Sequence, residues 1–291
     1  MVGEILEQLF EFTAKSIPSE KIFEAKRSYQ KETGETYEDD KSYDTRMALF
    51  LEWFLFDNYP NESSNNVFDL LLAENTDNWD SDQIINFKKI NENIQGLFLV
   101  KKVKGDIVKV LNLFTDNIYL VQEKDSGLIF RKNNIFQGRI INFQNHYFFT
   151  GNFCFHPKET HKFIKLEISS VANFIDQNKR DLAIVENGLL KEKKILQKQE
   201  INIAKLIDKI KYIDSDNKIT NINQDLKILI EKKKYKFKII EDLKNEIFKI
   251  KNNKIKIEGR KKINGLLNRF AYMNLKWERS RQIDITDIYK N

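Results

Sequence analysis

Two apolar stripes between Leu182 and Ile257, each advancing by alternating steps of three and four residues, constrain this chain more than any other feature. The first runs Leu182, Val185, Leu189, Glu192, Leu196, Gln199, Ile203, Leu206, Ile210 and Ile213. The second runs Ile222, Leu226, Leu229, Lys233, Lys236, Ile240, Leu243, Ile247, Ile250, Lys254 and Ile257. Such a rhythm lets two α-helices keep one seam buried as they wind around each other. Between the stripes, Asp214-Ser215-Asp216-Asn217-Lys218 is polar, rich in turn formers and too short for anything but an antiparallel return. The spacing therefore predicts a coiled-coil hairpin over 182–257, with arms of roughly 48 Å at about 1.5 Å per residue, projecting from a body. Folding about the connector sets Leu206 against Leu229 and Leu196 against Ile240. It also gathers Gln199, Lys236 and Lys233 in one polar layer, which would fix the register.

Charge divides along the same line. Residues 185–291 carry a net +12 and residues 1–184 a net −6. A basic C-terminal third on an acidic body suits a polyanionic partner or an acidic protein surface, although a compositional bias toward Lys, Asn and Ile gives the same pattern. The single cysteine, Cys154, excludes an internal disulfide. The acidic N-terminus lacks the basic start of a signal peptide. The most apolar run, Met47 to Phe56, is too short to cross a bilayer. The expectation is a cytoplasmic protein with no membrane span.

The expected fold class is α+β. Residues 1–95 read as a helical N-terminal subdomain, with helices over 4–15, from Ser19 to Gln30, from Asp44 to Phe56, and over 65–74 and 81–94, the last capped by Ser81. At Gly96 the period changes to two. Five strands are expected over 97–100, 107–113, 118–121, 135–141 and 147–155, forming a small meander β-barrel over 96–157. Residues 158–291 return to helix. They contain the hairpin and, after Gly259, a helix with a stripe of Ile263, Leu266, Leu267, Phe270, Met273 and Trp277, expected to fold back on the hairpin as a three-helix base. The tail Ile283 to Tyr289 alternates like a strand or an extended peptide.

Nucleotide-binding, hydrolase and zinc-protease signatures are missing from the sequence. All three histidines and the cysteine fall in one window, His146, Cys154, His156 and His161, and imidazole with thiolate is a zinc-ligand set. The strand geometry removes His146 from any shared site. Cys154, His156 and His161 remain as metal candidates for an enzyme at the β module. The favoured reading is a buried cysteine with two surface or capping histidines, and no cofactor. Glu35, Glu38, Asp39, Asp40 and Asp44 match no calcium loop and suit a helix start. Arg260, Lys261, Lys262, Arg269, Lys276, Arg279 and Arg281, interleaved with Phe270, Tyr272 and Trp277, have the composition of a phosphate-contacting helix.

The stretch Phe23-Glu24-Ala25-Lys26, Glu32-Thr33-Gly34, Tyr37-Glu38-Asp39-Asp40 and Phe50-Leu51-Glu52-Trp53-Phe54-Leu55-Phe56-Asp57 resembles the N-terminal segment of an uncharacterised bacterial protein family. The resemblance covers about the first 155 residues and implies a small β module after the FLEW-type helix. It brings no activity with it. The reading that follows is a non-enzymatic interaction or scaffold protein that presents its hairpin to a protein partner or to a second copy of itself, with RNA or ribosome binding by the basic C-terminal region as the alternative.

Overall fold

The computed structural model describes residues 2–60, 65–213, 216–280 and 282–290. It divides into two compact units, one of residues 1–175 with 259–291 and one of residues 176–258.

In the first unit, α1 (Val2–Ser16), α2 (Ser19–Thr33), α3 (Tyr43–Phe56), α4 (Val67–Glu74) and α5 (Ser81–Asn91) precede the strands. Pro18 separates α1 from α2, because it cannot donate to the helix before it. Reciprocal capping boxes start α4 (Asn66 with Asp69) and α5 (Asp80 with Gln83). Asp80, rather than Ser81, is therefore the cap: its carboxylate accepts from the Gln83 amide at 2.7 Å. Phe50, Phe54, Leu55 and Phe56 of α3 are buried among Leu6, Leu9, Phe68 and Phe87.

Six strands follow: β1 (Ile94–Lys104), β2 (Ile107–Asn112), β3 (Ile118–Gln122), β4 (Ile135–Phe143), β5 (His146–Phe149) and β6 (Cys154–His156). Their order is β1-β2-β3-β5-β4-β6, and β1 also pairs with β4, so five strands pair in a closed cycle. This is not a meander. A single-turn helix, α6 (Ser126–Ile129), leads from β3 to β4, and β5 then returns beside β3 in parallel. The expected strand over 147–155 is two strands, interrupted where Gly151 takes a left-handed φ of 94°. Phe98, Val100, Val108, Val110, Val121, Phe136 and Ile140 fill the inside of the cycle. On its outside, Ile141 and Phe143 pack with the N-terminal helices. Leu97 and Ile135 pack with the start of α7 (His161–Ile210) and with α9 (Arg260–Arg279).

The stripe of α9 buries Leu267 and Phe270 with Leu97 and Ile135 of the sheet and with Ile164, Ile168 and Val171 of α7. The tail ends in a single-turn helix, α10 (Ile285–Ile288), which sets Tyr289 into the same core instead of extending as a strand.

Helix α7 runs unbroken through Asn178-Lys179-Arg180 into the second unit and is one helix of 50 residues. None of those three residues is Gly or Pro. The return is α8 (Asp216–Phe248), and Asp214 and Ser215 of the connector lie outside the described residues. Val185 to Ile210 of the first stripe are each less exposed than their polar neighbours, as are Ile222 to Ile250 of the second. Ion pairs join Glu186 to Lys251 at 2.7 Å, Glu192 to Lys236 at 2.6 Å and Glu200 to Lys233 at 2.9 Å. Partner numbers fall along one helix as they rise along the other, so the two run antiparallel. Lys236 and Lys233 thus meet carboxylates of the facing helix rather than Gln199, which a long flexible stem permits. Lys249–Gly259 winds as a π-helix, whose wider turn takes Lys254 off the stripe and brings Ile255 toward it.

Candidate interaction surfaces

The FLEWFLFD segment places two carboxylates, Glu52 and Asp57, at the C-terminal end of α3. Arg139 reaches them from β4, where it is the one charged side chain in the run Ile135 to Ile141. Its guanidinium donates to Glu52 at 3.2 Å, to Asp57 and to Asn93. Arg260 of α9 donates to the other oxygen of Asp57 and, at 2.6 Å, to Asn93. Asn152 donates to Glu52 at 2.8 Å. Burial raises the Asp57 pKa, but the two guanidiniums outweigh it and hold the carboxyl below its usual range. Burial likewise disfavours charge on Arg139, and Asp57 and Glu52 overcome it. This network ties the N-terminal helices, the sheet and α9 together inside the first unit. It is structural, because its donors and acceptors are spent on one another.

The basic residues of α9 are largely engaged in the same way. Arg260 belongs to the buried network, Arg269 pairs with Glu167, and Arg279 donates to Asp40 at 2.8 Å and to the Glu35 carbonyl. Asp40 of the acidic cluster is thereby a structural partner, its carboxyl held low chiefly by Arg279. Lys262 lies over Phe174 at 4.9 Å and Lys276 over Tyr272 at 4.8 Å. Lys261 is exposed, and Arg281 lies outside the described residues.

The histidine and cysteine window divides by burial. His146 is exposed in the β4–β5 turn. His156, expected near the surface, is only 4% exposed, and its Nδ1 lies 3.1 Å from the Tyr289 hydroxyl. It is held there because α9 and the tail close over β6. Burial pushes its pKa down to about 3, so the ring is neutral. Burial also pushes the Cys154 thiol up to about 11. His161 opens α7, with its pKa lowered mainly by burial. Among the described residues, no group of three or more His, Cys, Asp or Glu is placed to hold a metal ion.

The second unit differs in character. Its distal half exposes Ile201, Ile207, Tyr212, Ile228, Ile230, Tyr235 and Phe237, with Tyr212 at 85% and Tyr235 at 66%. Lys198, Lys205, Lys209, Lys211, Lys232 and Lys234 stand among them.

A family of unknown function (DUF7986) matches residues 4–186. The chain belongs to that family. The match spans the N-terminal helices, all six strands and the first half of α7, and so extends past the FLEW-type helix and its β module. No curated protein and no solved structure matches the chain. Among the described residues, no helix is long and apolar enough to cross a membrane.

Proposed function

We propose that this is a non-enzymatic interaction protein that presents a coiled-coil hairpin to a protein partner or to a second copy of itself. The closed cycle of strands is read as a small barrel within the first unit. One observation carries the reading: large apolar side chains stand exposed among lysines on the distal half of the second unit, away from its own seam. Exposed apolar clusters rimmed by polar residues mark protein contacts. The alternative, RNA or ribosome binding through the basic C-terminal region, draws on Lys261 and the hairpin lysines, since Arg260, Arg269 and Arg279 already have carboxylate partners.

Sedimentation of the full chain over a wide concentration range tests the self-association form. Replacing Tyr212, Tyr235 and Phe237 with Ser is expected to abolish it. If the parent chain is monomeric, a photo-crosslinker at position 235 in the source cell is expected to give a discrete protein adduct that the same group at Lys124 does not. Monomeric behaviour together with no adduct sinks the reading.

A further inference from the structure

The outside of the strand cycle is covered on two sides and bare on a third. Helices α1–α5 pack on β4 and β5, and α7 and α9 pack on the first half of β1. The outward residues of β3 and of the second half of β1 remain exposed, as does Ile107 of β2, with Ile107 at 46%, Ile118 at 53% and Leu120 at 59%, while Lys109 and Leu111 of β2 are half-buried. Interleaved with them are Lys101, Lys102, Lys104 and Lys109. A bulge between Val100 and Lys102 turns both Lys101 and Lys102 outward, where strict alternation would bury one of them.

Three features say what this face accepts. Lys102 and Lys109 are direct cross-strand partners, and like charges opposite one another destabilise a sheet. Among the described residues no carboxylate pairs with any of the four lysines. The neighbouring acids, Asp106, Asp116 and Glu123, lie beyond the strand ends. An anion seated between Lys102 and Lys109 would relieve that repulsion. Next, β2 has a strand along both sides, so a ligand over the middle of this face engages side chains rather than a backbone edge. A second copy laid face to face would bring two such lysine sets together, which charge forbids. Finally, Ile107, Ile118 and Leu120 offer an exposed apolar surface against which the faces of unpaired bases can be buried, whereas a duplex keeps those faces stacked inside.

From this face we infer that the strand cycle binds single-stranded nucleic acid across β1–β3, with phosphates on Lys101, Lys102, Lys104 and Lys109 and bases against Ile107, Ile118 and Leu120. The order of the five cyclically paired strands, with β3 and β5 parallel, is compatible with this, since one partly open Greek-key barrel of five strands binds oligonucleotides on the face of strands 2 and 3. The surface is distinct from the hairpin proposed above, and either reading can fail without the other.

The test is fluorescence anisotropy of the full chain with labelled oligo-U, oligo-dT, a duplex of equal length and, as competitor, polyglutamate. Single strands are expected to bind more tightly than duplex. Their log–log salt slope should be about −3, from four lysines at about 0.7 each. Preference for oligo-U over oligo-dT would assign the ligand as RNA through its 2′-hydroxyl, and the reverse as DNA. Lys102→Thr with Lys109→Thr should shrink the slope by about 1.4. Lys109→Glu should abolish binding while raising the thermal midpoint, because it turns a repulsive pair into an ion pair. That second readout separates lost binding from lost folding. Ile118→Ser with Leu120→Ser should weaken single strands more than duplex. No binding at low salt, equal affinity for duplex, displacement by polyglutamate as effective as by oligo-U, or dependence on Lys232 and Lys234 instead of Lys102 and Lys109 would each overturn the proposal.

Discussion

Arg139 on β4 and Glu52 on α3 are 87 residues apart in sequence, and their side chains meet at 3.2 Å, each only 2% exposed. The pair docks a helix on a sheet with charge where apolar contact would be the simpler solution. Arg139→Met would leave Glu52 buried without its cation and deprive Asp57 of one of two. Breaking a buried pair in this way costs about 3–5 kcal/mol, which urea unfolding would measure. Adding Glu52→Gln should recover part of the loss. A loss of under about 1 kcal/mol would mean that water reaches the site.

The seam of the second unit makes a different demand. Lys236 and Glu192 are about a fifth exposed and 2.6 Å apart, so their attraction is partly screened by solvent. Lys236→Leu with Glu192→Leu should raise the thermal midpoint, by about 1 kcal/mol in free energy, since a well-packed apolar pair replaces a desolvated ionic one. Lys236→Leu alone should be less stable than that double variant. Circular dichroism melts of the three chains decide it.

His156 supplies a pH dependence. Its folded-state pKa lies near 3, while an unfolded histidine titrates at about 6.5. As pH falls through 6.5 the unfolded chain takes up a proton that the folded chain refuses, so stability is present above that pH and declines toward pH 3. The slope approaches about 1.4 kcal/mol per pH unit. His156→Gln should flatten the decline between pH 7 and 5, a range above the titration of the carboxylates. An unchanged slope there would place a protonated His156 in the folded state.

Cys154 should react slowly with thiol reagents in the native state at neutral pH. Burial raises its pKa to about 11 and shields the sulfur, so both thiolate fraction and access are low. Labelling should become fast in denaturant. Rapid native labelling would show that β6 opens readily.

Local patterns in the chain were sufficient for much of this structure. The heptad stripes between Leu182 and Ile257 name nearly all of the less exposed positions of α7 beyond Asp181 and of α8, because burial along a helix follows a short period whatever it packs against. The change of period at Gly96 marks where strands begin, give or take two residues. What tertiary structure decided is everything that depends on who faces whom. β5 lies parallel to β3 because the chain doubles back after α6, and no dipeptide encodes that return. The arginines of α9 look free in sequence but meet Asp57, Glu167 and Asp40, each more than 100 residues away. Conversely, Lys102 and Lys109 look like ordinary surface charge until strand register sets them opposite each other without an acid between. A residue's period fixes which side it shows, and only the fold fixes what stands on that side.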